Sequence, residues 1–284
     1  TSALEECREQ LEHHVEFLSP AAATELQGQY ASLLGDPILT QCVRRGALVG
    51  REEQRRLILT HLKNKAQLIT LVGTAGVGKT RIALEMAAEL RMGNSQTYFC
   101  DLTGAQSELG IIQSIAAALG LRLRDGDPIK HLRERLSQGN TVLVLDNLEH
   151  IRAPAGQLCA AWRTDLPSLR ILATSRIRLG IDGEALVEIA PMTLLEAIEL
   201  FIRCAQSVDP DFQCSPEIQE RLCELVESLD GLPLAIELAA ARLKQLTLDE
   251  IVERLNIRFS LLRSRDRAGI ALEGALDWSW ELLE

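Results

Sequence analysis

Leu68-Ile69-Thr70-Leu71-Val72-Gly73-Thr74-Ala75-Gly76-Val77-Gly78-Lys79-Thr80 is the stretch that decides how this chain folds. Its first five residues are apolar and β-prone. The segment that follows, Arg81 to Glu89, carries Ile82, Ala83 and Met86 at helical spacing. Between the two lies a complete G-x-x-x-x-G-K-[ST] loop, residues 73–80. A strand, a glycine-rich loop and a helix in that order make the context in which such a loop cradles phosphate. Gly73, Gly76 and Gly78 let the backbone curl around an anion with its N–H groups inward, and the helix start adds its partial positive end. In that arrangement Lys79 bridges the outer phosphates and the Thr80 hydroxyl takes one position on Mg²⁺. The expected ligand is a nucleoside triphosphate or diphosphate.

Outward from this loop, short apolar runs alternate with helical patterns as far as about residue 190. The runs are 68–72, 97–102, 141–145, 169–173 and 186–189. Strands that are apolar throughout and separated by helices predict a parallel sheet covered on both faces. An amphipathic helix through Leu57, Ile58 and Leu62 precedes them. From about 193 the strand signals stop. Thr193-Leu194-Leu195-Glu196 and Thr247-Leu248-Asp249-Glu250 both fit the capping box, and Ser215-Pro216 marks another helix start. The faces Ala197/Leu200/Phe201/Cys204 and Ile218/Leu222/Leu225/Leu229 read as ordinary helix-bundle core.

Residues 1–34 read as a polar helical leader, with a helix start at Ser19-Pro20 and an end at Gly35-Asp36-Pro37. At the other end Ala275, Leu276, Trp278, Trp280 and Leu283 sit in a helical pattern with no capping signal after it. The expectation is a piece of something longer. The formal charge of −10 argues against this segment gripping a nucleic-acid backbone. No stretch approaches a membrane span. Seven scattered cysteines, an odd number without a C-x-x-C pair, predict a reducing, cytoplasmic setting with free thiols and no metal cluster.

Chemistry downstream of the loop concentrates in two places. Thr141–Asp146 places four aliphatic residues before Asp146, so a carboxylate arrives at the end of a buried strand where it can hold Mg²⁺ opposite the phosphates. Asn147 follows, and an amide cannot take a proton from an attacking water. Glu149 is read either as a general base or as a helix-start carboxylate, and His150 as structural or solvent-facing. A slow hydrolase is the expectation. Arg176, just past the run at 169–173, stands where strand ends line a ligand crevice, so its guanidinium can report a γ-phosphate; the alternative is a surface arginine. Gly231-Leu232-Pro233-Leu234-Ala235-Ile236-Glu237 ends one helix and opens another, which by itself needs no ligand.

In order along the chain, Val49-Gly50-Arg51, the phosphate loop, Leu145-Asp146-Asn147-Leu148-Glu149-His150, Ala173-Thr174-Ser175-Arg176 with Leu179-Gly180, and Asp230-Gly231-Leu232-Pro233-Leu234-Ala235-Ile236-Glu237-Leu238 resemble the STAND class of P-loop ATPases. The resemblance is to its NB-ARC-like branch, covers about residues 47–284, and is most similar to bacterial regulators of the LuxR-related and antibiotic-regulatory (SARP) types. It implies an α/β P-loop NTPase fold: a five-stranded parallel sheet domain at about 47–190, an all-α helical domain at 191–266, and the start of a winged helix from 267 to 284. It also implies that Val49, Gly50 and Arg51 contact the adenine side and that Pro233 closes over the base. Thr74, Ala75 and Gly76 through Val77, Gly78, Lys79, Thr80 and Arg81 would wrap the phosphates, with Arg176 sensing the γ-phosphate. Leu18-Ser19-Pro20, Leu26, Tyr30 and Leu33-Leu34 resemble the last helices of the activation domain that precedes the ATPase in some antibiotic-regulatory activators, with a generic helical linker as the alternative for residues 1–46.

Three functional expectations follow. The first is an ATP/ADP switch with Mg²⁺, off with ADP and on with ATP, a weak ATPase that self-associates in the ATP state and reaches DNA only through a domain outside this chain. The second is a turnover ATPase or kinase, against which Asn147 weighs. The third is a scaffold that keeps ADP as a structural ligand.

Overall fold

The computed structural model describes residue 38 and residues 48–93, 95–121 and 128–262. The expected leader, apart from the buried helical Ile38, and the expected winged-helix start at 267–284 lie outside the described residues. Five strands, β1 (Leu68–Val72), β2 (Gln96–Asp101), β3 (Thr141–Asp146), β4 (Arg170–Ser175) and β5 (Ala185–Glu188), pair in parallel in the order β2-β3-β4-β1-β5. The run expected at 169–173 extends two residues further, because Thr174 and Ser175 keep the ladder against Leu71 and Val72 although their side chains are polar. Both are buried. The runs expected at 97–102 and 186–189 each start one residue earlier.

Helices α1 (Glu52–Lys63) and α2 (Lys79–Met92) cover one face of the sheet. The opposite face carries α3 (Glu108–Ala118), α4 (Pro128–Leu136) and α5 (Arg152–Asp165). Ile82, Ala83 and Met86 of α2 are buried as their spacing predicts. On α1, Ile58 is the buried residue and Leu57, expected to face inward, is exposed. Adjacent helical positions stand about 100° apart, and α1 lies over the edge strand β5, which covers only one stripe of it. Cys100 and Cys159 pack as small apolar groups, and burial pushes both thiols up to about 12.

Among the described residues four α-helices follow the sheet: α6 (Leu194–Val208), α7 (Pro216–Ser228), α8 (Pro233–Ala241) and α9 (Leu248–Leu262). Both capping boxes form, with Thr193 and Glu196 exchanging hydrogen bonds at the start of α6, and Thr247 and Glu250 at the start of α9. Ser215 caps α7 through its hydroxyl, with Pro216 at the first helical position. Ala197, Phe201, Leu222, Leu225 and Leu229 are buried, while Leu200, Cys204 and Ile218 form a half-buried rim. Each fully buried large side chain contributes about 1.5–3 kcal/mol relative to exposure. One apolar cluster runs without a break from Ile58, Leu71 and Ile82 through Met192 to Phe201, Ile236 and Ile251. The helical lobe is thus packed onto the sheet.

Candidate nucleotide-binding site

The strand order places β4 between β1 and β3, so the phosphate loop, Asp146 and the end of β4 meet at the carboxyl edge of the sheet. Gly73 sits so close to the β5 exit that an added Cβ would lie 2.5 Å from the Ile189 carbonyl. Gly78 has φ +97°, a conformation that side chains with a Cβ rarely adopt. The loop closes over Lys79, whose Nζ donates to the carbonyls of Gly73 and Thr74, both at 2.9 Å. Burial lowers the Lys79 pKa, opposed in part by the nearby Glu149 carboxylate. Of the other loop residues, Val77 is buried, Ala75 is half-buried and Thr74 is exposed. Arg81 pairs with Glu85 one turn along α2 at 3.7 Å.

The Thr80 hydroxyl lies 2.9 and 3.0 Å from the two oxygens of Asp146. Thr174 of β4 donates to Asp146 Oδ1 at 2.6 Å. Burial pushes the Asp146 carboxyl up, and these two hydroxyls pull it partly back. A buried carboxylate beside a hydroxyl is a hard oxygen pair suited to Mg²⁺. The cradle therefore fits the phosphate and metal that its sequence predicts. Bound there, a metal–phosphate group would supply positive charge to Asp146 and negative charge to Lys79.

Asn147 takes a left-handed backbone (φ +69°) and turns the chain out of β3. Its amide nitrogen, in the orientation that satisfies both groups, donates to the two Glu149 oxygens at 3.1 and 3.0 Å. Arg176 Nε donates to Glu149 Oε1 at 3.0 Å, with the Arg176 side chain 60% exposed and that of Glu149 20% exposed. Glu149 and Arg176 thus stand together beside the phosphate cradle. His150 Nε2 lies 2.8 Å from the Ala105 carbonyl, a tie between loops.

On the opposite side of the loop, Val49 is buried in the apolar cluster and Gly50 and Arg51 both have positive φ. The buried Arg51 guanidinium donates to the Ala190 carbonyl at 2.7 Å and to the Val77 carbonyl at 3.1 Å. It also attracts Glu196, which caps α6 and would collide with any Cβ at Gly50. Pro233 stands at the start of α8, its ring 3.8 Å from where a Cβ on Gly78 would be. The next residue, Leu234, donates its N–H to the Gly76 carbonyl at 3.2 Å. A second tie runs from Met192 N–H to the Gly231 carbonyl at 2.9 Å. Among these partners Glu196 and Ala190 escape sequence reasoning. The capping box announces Glu196 as a helix start, but nothing local to it announces a buried arginine 145 positions earlier.

The strand order and this edge of the sheet are those of the P-loop NTPase fold. Residues 62–181 match the family model of an AAA domain. The chain is 38% identical over 226 residues to a Mycobacterium tuberculosis protein bearing the working name of an HTH-type transcriptional regulator, a match covering 76% of this chain and 25% of that protein. It is 34% identical over 246 residues to an uncharacterized protein of the same organism, covering 84% of this chain and 62% of the relative. Disease resistance protein RGA5 of Oryza sativa subsp. japonica matches at 26% over 192 residues, 62% of this chain and 16% of that protein. The chain thus spans about a quarter of the length of the first relatives it matches. Among solved structures, the Walker-type ATPase of Pyrococcus abyssi superposes with a TM-score of 0.58 at 18% identity, covering 76% of this chain and 74% of that one. Cdc6p of Pyrobaculum aerophilum superposes with a TM-score of 0.56 at 15% identity, covering 69% and 61%. At these identities the likeness establishes the fold. Among the described residues no helix is long and apolar enough to cross a membrane.

Proposed function

We propose that this chain is the nucleotide switch of a signal-transducing transcriptional regulator, with an ADP-bound off state and an ATP-bound on state separated by slow hydrolysis. One observation carries the reading: the helical lobe meets the sheet at the phosphate loop itself, through Leu234 N–H on the Gly76 carbonyl and Pro233 beside Gly78. A ligand in the loop therefore touches the joint between the lobes. In this reading Val49, Gly50, Arg51 and Pro233 surround the adenine, residues 74–81 hold the phosphates, Thr80 and Asp146 hold Mg²⁺, and Arg176 meets the γ-phosphate. The domains divide at about 46, 190 and 266.

Such a switch works only where the two nucleotides differ in affinity between the two arrangements of the lobes. The γ-phosphate supplies the difference, since it alone gives Arg176 a new partner. The regulator names carried by the mycobacterial relatives favour a signalling role over metabolic turnover. In the longer protein, DNA is bound through a domain outside this chain, the ATP state self-associates, and the setting is cytoplasmic; the kinship is to the LuxR-related and antibiotic-regulatory activators. The test is small-angle scattering at saturating ADP and at saturating non-hydrolysable ATP analogue. Distinct profiles are expected, and superimposable ones overturn the switch. Turnover above about one per second would instead favour an enzyme whose chemistry is its purpose.

A further inference from the structure

The carboxylate that ordinary hydrolysis needs is missing from the position after Asp146, which is Asn147. The structure nevertheless brings one to the cradle. Asn147 turns the chain out of β3, Leu148 N–H is pinned to the Thr174 carbonyl at 3.0 Å, and a short 3₁₀ turn over Glu149–Ile151 leaves Glu149 near enough to Lys79 for the two charges to act on each other. The two Glu149 oxygens are engaged by the Asn147 amide and by Arg176 Nε.

Resting on the nucleotide reading above, we propose that Glu149 is the carboxylate that orients the attacking water, and that its ion pair with Arg176 parks it until a γ-phosphate draws the guanidinium away. One contact then performs two tasks. Without a γ-phosphate, Arg176 neutralises Glu149. With one, the guanidinium turns to the phosphate, and Glu149 keeps the Asn147 amide while the lone pair on Oε1 that Arg176 held opens to water. In the step itself, the water oxygen bonds to γ-phosphorus while the bond from γ-phosphorus to the bridging oxygen breaks, its electron pair leaving with ADP. Glu149 accepts the water's proton and passes it to the phosphate released. Only water and the nucleotide are consumed.

The assignment makes binding and hydrolysis move in opposite directions in Glu149→Gln. The uncharged amide holds Arg176 less firmly and repels the γ-phosphate less. Calorimetry with Mg²⁺ and a non-hydrolysable ATP analogue is expected to show binding about two- to tenfold tighter than wild type. ADP affinity and the melting temperature should stay unchanged. Single-turnover ATP hydrolysis should fall about 100-fold, the usual loss on removing a general base. Glu149→Asp, which keeps the charge one methylene short, should recover part of the rate. Analogue affinity that is unchanged or weaker, a rate within about threefold of wild type, or a wild type that does not hydrolyse ATP would overturn the assignment and leave the switch standing. A wild type that binds neither nucleotide overturns both.

Discussion

Lys79 sits in a place that a bound anion makes more favourable. Its ammonium is desolvated by the folded loop and holds two carbonyls at 2.9 Å, partners that carry no full charge. Asp146 is its counterpart, buried beside two hydroxyls. In the function proposed for this chain, both meet opposite parts of one ligand. Lys79→Ala should weaken ATP binding about ten- to hundredfold, the loss of a charge-assisted contact, and calorimetry beside a melting curve checks that the fold survives. Arg176→Ala should leave ADP affinity nearly intact while the preference for ATP over ADP shrinks about fivefold, measured by competition between the two nucleotides. Arg176 can have that selective effect because its side chain lies outside the packed core and bonds Glu149 through Nε.

At the level of elements, the start of α6 couples a helix cap to the nucleotide loop. Burial alone would raise the Glu196 carboxyl; hydrogen bonds from the Thr193 N–H and hydroxyl, with the Arg51 charge, bring it below its ordinary 4.5. The folded state then holds fewer protons than the unfolded chain. The stabilisation is complete above pH 4.5 and is lost as pH falls through the lower folded value. Glu196→Gln keeps a residue able to complete the capping box but removes the charge facing Arg51. The variant should melt lower than wild type at neutral pH and show a shallower loss of stability below pH 4.5, followed by thermal melts across the acid range.

For the molecule as a whole, the decisive feature is that two lobes share one apolar cluster and one set of ties around the phosphate loop. Arg51 adds a further set of ties to those of Leu234 with Gly76 and Met192 with Gly231. It holds the loop by Val77, the connection between lobes by Ala190, and the first helix of the second lobe by Glu196. It does so from a left-handed backbone that a non-glycine residue adopts only when its surroundings impose it. Arg51→Met fills similar space without the donors and takes the guanidinium from the buried Val77 carbonyl and the part-buried Ala190 carbonyl. A melting temperature lower by roughly 5 °C is expected from the loss of bonds to a charged group in a protein of this size, read by differential scanning calorimetry with and without ADP.

Much of this was legible in the chain because it is local. A strand, a glycine loop and a helix contiguous in sequence must be contiguous in space, so Gly73 to Thr80 declared a phosphate cradle without reference to anything else. Capping boxes and helix faces are legible for the same reason, since their partners lie three or four residues apart. The places of Asp146 at the end of β3 and of Arg176 just past β4 were legible from the apolar runs before them. That β4 lies between β1 and β3, that Thr174 grips Asp146, that Glu149 swings back to pair with Arg176, and that Arg51 and Glu196 clasp the two lobes were decided only by the tertiary structure. Each depends on segments distant in sequence meeting through packing, and hydrophobic burial, which is non-directional, leaves no local mark of which segment will meet which.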